Sequence, residues 1–117
     1  TYSGTALGSR VVYTVINVIQ KENLVENAAK MGNYIVQQLA QKLSDQKVAV
    51  RGFGLMIGID LPKPCAELVH IARDEHQLII NVTAGSVVRL LPPLNITQEQ
   101  ADQLIQRLVT MIQAYLA

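Results

Sequence analysis

At 117 residues the chain has the length of a single domain with a substantial core. Ten Lys and Arg nearly balance nine Asp and Glu without forming a basic stripe, which argues against nucleic acid or an anionic membrane as the main partner. Charged residues make up only 16% of the sequence, against roughly 25% in an average soluble domain. We therefore expect a larger parent chain, a second subunit or both to cover part of the surface.

Cysteine and histidine provide little chemistry in this sequence. Cys65 is the only cysteine, so no internal disulfide can form, and the two histidines do not match the spacing of a metal site. A reducing cytoplasm is the default compartment for such a chain. The sequence shows neither a secretory leader nor an apolar run long enough to span a bilayer. Because the chain begins with Thr1 rather than Met, we expect a C-terminal fragment of a longer protein.

Helical periodicity is clearest near the two ends. Residues 1–10 mix hydroxyl groups with glycines, which is typical of a loop and N-cap and would also let the backbone approach an anion closely. Residues 10–20 predict a helix whose apolar positions cover most of its circumference, so that it should be buried on more than one side. A second helix should begin with a capping box at Asn23 and Glu26 and end near Leu43.

The middle of the chain has the apolar runs that predict β-strands. Residues 48–51 and 55–61 predict two strands joined by a tight glycine-containing turn, and Gly58 suggests close approach of another backbone. Pro62-Lys63-Pro64 suits the first turn of a helix. Residues 78–82 and 87–91 predict a second hairpin.

The last helix should begin with a capping box at Thr97 and Gln100 and carry a continuous apolar stripe. The order of elements predicts an α+β fold, with a small antiparallel sheet of about four strands and helices packed on one face.

Arg89 is the one residue that breaks an apolar strand pattern. A permanent charge in such a run is tolerated where it reaches water or meets a carboxylate. One interpretation is an edge-strand arginine with its head in water or in a structural ion pair. The other is a carboxylate-binding arginine at the rim of a ligand site. The residues alone leave both open.

Three segments carry a family resemblance. Residues 50–59, 78–85 and 88–94 resemble the C-terminal domain of class III pyridoxal-phosphate aminotransferases, and within that class residues 81–85 and 89–94 are most similar to acetylornithine aminotransferases. The resemblance covers essentially the whole chain. It implies that residues 1–20 are a loop and helix leading from a large cofactor domain, and that residues 21–117 form the small domain.

The resemblance also implies site residues. Thr1-Tyr2 matches the start of a family stretch whose Thr binds the phosphate of pyridoxal 5'-phosphate in the neighbouring subunit. Arg89 aligns with an arginine beside the active site that binds a substrate carboxylate or pairs with a Glu. The Schiff-base lysine lies upstream in the family, so no catalytic residue is expected here. The fragment should then be inactive alone and should not bind the cofactor by itself.

The implied parent is a cytoplasmic homodimer. It would move an amino group from N-acetylornithine, or a similar ω-amino substrate, to 2-oxoglutarate in arginine biosynthesis. As one domain of that dimer, the chain should present Val11, Val15 and Ile19 without intramolecular partners, and Arg89 should face the cofactor domain.

Two alternatives remain at this point. The chain could be a non-catalytic amino-acid-binding or dimerisation module, with Arg89 holding a carboxylate. It could also be a degenerate transaminase homologue, since Ser3-Gly4-Thr5-Ala6 stands where the family usually has Gly-Gly-Asn-Pro.

Overall fold

The computed structural model describes residues 3–117, so the prediction for Thr1 lies outside the described residues. These residues form helices, a short 3-10 turn and strands in the following order: α1 (Ala6–Lys21), α2 (Leu24–Lys42), the 3-10 turn (Ser44–Gln46), β1 (Ala49–Phe53), β2 (Met56–Asp60), α3 (Leu68–His76), β3 (Asn81–Thr83), β4 (Val87–Leu90) and α4 (Gln98–Leu116). Within this range, no helix is both long and apolar enough to cross a membrane.

The strands form one sheet in the order β1-β2-β4-β3, and every neighbouring pair is antiparallel. Because side chains alternate along a strand, one face carries the buried Ile57 and Ile59 of β2 and the buried Val88 and Leu90 of β4. The inner stripes of α2 and α4 belong to the same core cluster, with Ile35, Leu39, Leu108 and Ile112 fully buried. The predicted α+β fold, with helices on one face of a four-stranded antiparallel sheet, is confirmed.

Helix α2 and the β1–β2 hairpin approach each other at two glycines. A Cβ atom on Gly32 of α2 would lie 2.0 Å from the carbonyl oxygen of Gly54, which is far inside van der Waals contact. Gly54 itself has φ of +56° in the hairpin turn, where a side chain would be strained. The missing side chain at position 32 therefore lets the helix contact the turn backbone directly.

Two predictions about helix α1 and the start of α2 were wrong. Helix α1 begins at Ala6, where the Thr5 hydroxyl accepts a hydrogen bond from the Gly8 amide at 3.0 Å, and it has no buried residue. Its apolar circumference is therefore not buried within the described chain. Asn23 does precede α2, but its φ of 52° is left-handed and its side chain makes no capping bond, so the predicted capping box is absent.

Two boundaries also differ from the prediction, for local reasons. Helix α3 begins at Leu68 rather than near Pro62, and its start is preceded by a turn in which the Leu68 amide donates to the Cys65 carbonyl at 2.9 Å. Strand β3 begins at Asn81 rather than Leu78. The Leu78 amide instead donates to the Ala72 carbonyl at 2.9 Å, closing the end of α3.

The capping box of α4 is confirmed. The Gln100 amide donates to the Thr97 hydroxyl at 3.2 Å, and the Thr97 amide donates to the Gln100 side chain at 3.1 Å. At the other end of this helix, the Tyr115 hydroxyl lies 2.7 Å from Glu67 Oε1 and 2.8 Å from the Pro64 carbonyl oxygen. The end of α4 is thereby tied to the segment that leads into α3.

Replacing Gly32 with Ala should destabilise the protein. Ala is the better helix former, but its Cβ would collide with the backbone of Gly54, so we expect a loss of about 3 kcal/mol in the free energy of unfolding. Urea denaturation measures the difference. Gly58→Ala is the matched control, because a Cβ there meets its nearest atom at 3.6 Å, and it should be about 0.5 kcal/mol more stable than the native protein. Equal midpoints for the two variants would contradict the close approach.

The hydrogen bond with Glu67, followed by desolvation and the charge of Glu67, raises the pKa of Tyr115 to about 12. The pKa of Tyr115 in the folded protein lies above the ordinary value of about 10. The stabilisation of the fold by the hydrogen bond between Tyr115 and Glu67 is therefore complete below pH 10 and is lost as the pH rises through 12. Among the described tyrosines, absorbance titration should show two late phases, from Tyr115 and from Tyr34, because a hydrogen bond to Asp102 raises the pKa of Tyr34 as well. Glu67→Gln should lower the midpoint of Tyr115 alone, and Tyr115→Phe should remove one of the two phases. A Phe variant that keeps both late phases would disprove the assignment.

Candidate functional site

The second face of the sheet, here called the open face, carries the side chains that alternate away from the helices. Its residues are Ala49, Arg51, Phe53, Met56, Gly58, Asp60, Asn81, Thr83, Val87 and Arg89. None of them is buried, and the large apolar Phe53 is 90% exposed. Exposed aromatic and charged side chains on one sheet face are a typical setting for a binding surface.

A groove of about 390 Å³ lies on the open face. Arg51 and Arg89 line it together with the apolar Phe53, Met56 and Val87. Gly58 lies between the two arginines, since its backbone pairs with Arg51 on one side and with Arg89 on the other. The lining contains no carboxylate, so the groove carries positive charge on an apolar surface.

Arg89 lies on an inner strand, because β4 is flanked by β2 and β3. The edge-strand interpretation of this residue is therefore wrong. Its side chain is exposed, and among residues 3–117 no carboxylate lies within ion-pair distance of it. The inner-strand position fixes the backbone of Arg89, while its guanidinium remains available to a ligand or to a partner outside the described residues.

The segment after Arg89 is also held in place. The Asn27 side-chain amide on α2 donates to the Leu94 carbonyl at 2.7 Å and to the Ile96 carbonyl at 3.1 Å. These bonds tie the turn that follows β4 to the helical layer. The strand that carries Arg89 is thus fixed by its ladder and by the segment that follows it.

Arg51 was not singled out from the sequence. In the fold its Nη1 lies 3.9 Å from Asp60 Oδ2, and Asp60 Oδ1 accepts a hydrogen bond from the Ser86 hydroxyl at 3.1 Å. No sequence signal marks it, because only the strand order places it opposite Gly58 and on the same face as Arg89. Gly58 was predicted to allow close approach of another backbone, but a Cβ atom added there would meet only the side chains of Val87 and Arg51, at ordinary contact distances.

The loop before α1 forms a shallow hollow lined by Ser3, Gly4, Gly8, Ser9 and Val12. The Gly8 amide is already used by the Thr5 hydroxyl, which confirms the N-cap interpretation of this loop. Small residues here would allow an anion to approach the backbone, whereas the predicted phosphate contact of Thr1 lies outside the described residues.

The similarity of this chain to known proteins identifies its family. The family model described as "Aminotransferase class-III" matches residues 1–112, so the chain belongs to the class III aminotransferases. It is 36% identical over 118 residues to the acetylornithine aminotransferase of Nitrosomonas europaea, covering 99% of this chain and 30% of that protein. It is 42% identical over 119 residues to acetylornithine aminotransferase 1 of Bordetella parapertussis, covering 100% of this chain and 30% of that protein.

A solved structure shows the same fold. The (S)-enantioselective omega-transaminase of Thermomicrobium roseum superposes with a TM-score of 0.87 at 26% identity, over 100% of this chain and 29% of that one. The chain therefore spans less than a third of the length of the proteins it matches. These findings confirm the family resemblance and the fold class.

Class III aminotransferases use pyridoxal 5'-phosphate, and the described residues fit only part of such a cofactor site. All lysines of this chain are exposed, so none stands in the apolar setting that suits a Schiff-base lysine. The hydroxyl and amide groups of the loop around Ser3 and Gly4 fit a phosphate contact.

Replacing Arg89 with Gln should leave stability almost unchanged. The side chain is exposed and has no carboxylate partner among the described residues, so the free energy of unfolding should change by less than about 0.5 kcal/mol. The neighbouring Leu90, 3% exposed, is the control: Leu90→Ala should cost about 3 kcal/mol. Thermal and urea unfolding measure both. A large loss for the Gln variant would instead assign Arg89 a structural role.

Proposed function

We propose that this chain acts as the C-terminal small domain of a transaminase that moves an amino group from N-acetylornithine, or a similar ω-amino substrate, to 2-oxoglutarate. The observation that supports this proposal most directly is the similarity to two acetylornithine aminotransferases, over 99% of the chain for the Nitrosomonas europaea protein and 100% for the Bordetella parapertussis protein. In this proposal residues 1–20 lead from the large cofactor domain and residues 21–117 form the small domain. The reaction belongs to arginine biosynthesis in the cytoplasm.

Arg89 binds a substrate carboxylate in this proposal, or pairs with a Glu of the cofactor domain. Its guanidinium is always charged and offers two parallel N–H donors that match the two oxygens of a carboxylate. Its exposure and the absence of an ion-pair partner among residues 3–117 support a ligand role. The cofactor, when bound, supplies the electron sink for amino-group transfer, while this chain binds and orients the carboxylate.

Helix α1 supports a contact with other protein. Val11 is 53% exposed, Val15 is 50% exposed and Ile19 is half-buried, although all three are apolar. Exposed apolar residues in such density are unusual on a surface that faces water. We assign this side of α1 to the upstream cofactor domain and the homodimer interface. Thr1 would then lie near the phosphate of the neighbouring subunit's cofactor.

The test uses the longer polypeptide that carries this chain together with a cofactor domain. Its absorption spectrum is recorded before and after addition of N-acetylornithine without any keto acid. The proposal requires a visible cofactor band that falls while the pyridoxamine form grows. A protein without a cofactor band would instead favour the degenerate homologue, for which the departure at residues 3–6 is the supporting observation. Binding of an amino acid without cofactor would favour the binding module.

Replacing Arg89 with Lys in that polypeptide should lower kcat/KM by about 10- to 100-fold. Lysine keeps the charge but lacks the two parallel N–H donors of the guanidinium. A hydrogen bond to a charged group contributes about 1.5–3 kcal/mol. Steady-state kinetics with both substrates measures the loss, and the absorbance of the bound cofactor should stay unchanged. Arg73→Lys, at an exposed arginine paired with its neighbour Asp74, is the control and should behave like the native enzyme. Native kinetics in the Arg89 variant would remove the residue from the site.

A further inference from the structure

Arg89 lies close to the point where strand β4 stops pairing with its neighbours. The last pair between β4 and β3 joins Arg89 to Asn81, and the pairing with β2 ends one residue later, at Leu90. Pro92 and Pro93 follow, and proline has no N–H group with which to extend a ladder. Because strand ends open more easily than strand centres, the position of Arg89 depends on what holds the segment after β4.

One side chain of helix α2 holds that segment. The Asn27 side-chain amide uses both of its N–H groups, donating to the Leu94 carbonyl at 2.7 Å and to the Ile96 carbonyl at 3.1 Å. The Ile96 amide in turn donates to the Pro93 carbonyl at 3.0 Å, which closes a turn. The half-buried Asn27 therefore attaches this turn to the helical layer.

The link between the turn and β4 is short and stiff. Three residues separate Leu90, the last residue of β4, from Leu94 in the turn. Two of the three are prolines, whose rings fix the backbone angle φ and restrict the residue before them. A displacement of the turn would therefore reach the end of β4 and would not be absorbed by the link.

Nothing else in the described chain replaces the Asn27 contacts. Among residues 3–117, the carbonyl oxygens of Leu94 and Ile96 accept no other hydrogen bond. An aspartate at position 27 would have the same size but would place carboxylate oxygens against these two carbonyl oxygens. That substitution therefore releases the turn without creating a cavity.

We propose that Asn27 is a positioning residue for Arg89. Its amide fixes the turn after β4, and the fixed turn keeps the end of the strand paired, so that the Arg89 guanidinium stays at one place on the open face. The inference rests on the proposed function, because Asn27 contributes to amino-group transfer only through Arg89.

The first test measures backbone hydrogen exchange in the full chain by NMR. Asn27→Asp should speed exchange of the Arg89 and Leu90 amides by about 10-fold relative to the Ile59 amide in the middle of β2. Asn33→Asp makes the same substitution at an exposed position of α2 and should leave that ratio unchanged. A general loss of stability would speed all of these amides equally. Equal acceleration, or native exchange at Arg89 and Leu90, would overturn the inference.

The second test is a double-mutant cycle in the longer polypeptide that carries a cofactor domain. Asn27→Asp should lower kcat/KM by about 5-fold in the native background, and by less than about twofold when it is combined with Arg89→Lys, because residues that act through one another are not additive. The absorbance of the bound cofactor should stay unchanged. Equal losses in the two backgrounds would assign Asn27 a purely structural role and would overturn the inference.

The outcome is separable from that of the proposed function, since hydrogen exchange needs neither cofactor nor turnover. Local opening at Arg89 in Asn27→Asp, together with a parent protein that has no cofactor band, would support the role of Asn27 and count against the transaminase alone. An active transaminase with native exchange in the Asn27→Asp chain would count against this inference alone.

Discussion

The contact between Gly32 and Gly54 fixes the geometry on which the site depends. A helix that could not approach the hairpin turn to this distance would sit further from the sheet and would leave β1 without its packing partner. With α2 in place, Ile57 and Ile59 face the helices and Arg51 faces away from them. The division of the sheet into a buried face and an open face therefore follows from one backbone contact and the alternation of the strands.

The open face and helix α1 expose different surfaces. The open face combines two arginines with apolar side chains, which suits a small anionic ligand with a carbon chain. Helix α1 is apolar and has no buried residue, which suits contact with other protein. The low fraction of charged residues in the sequence accords with both surfaces being covered in a larger assembly. The chain belongs to the class III aminotransferases and spans less than a third of the length of its relatives. Both facts support the proposal that these surfaces contact other protein.

Much of the fold could be predicted, because the spacing of the apolar residues shows which face of each helix or strand is buried. The two hairpins, the α+β class and the capping box at Thr97 follow from local patterns. The pattern could not show that the Leu78 amide would close helix α3, or that Asn23 would adopt a left-handed conformation, because both depend on the path of the chain. It could not place β4 inside the sheet either. Arg51 was missed for that reason: only strand order brings it onto one face with Arg89.

The most direct test of the proposed carboxylate site at Arg89 is a crystal structure of the longer polypeptide with its cofactor and glutarate bound. The open face should then lie toward the cofactor, with a glutarate carboxylate within hydrogen-bond distance of Arg89. Glutarate bound elsewhere, with the open face covered by unrelated protein or turned to solvent, would contradict it.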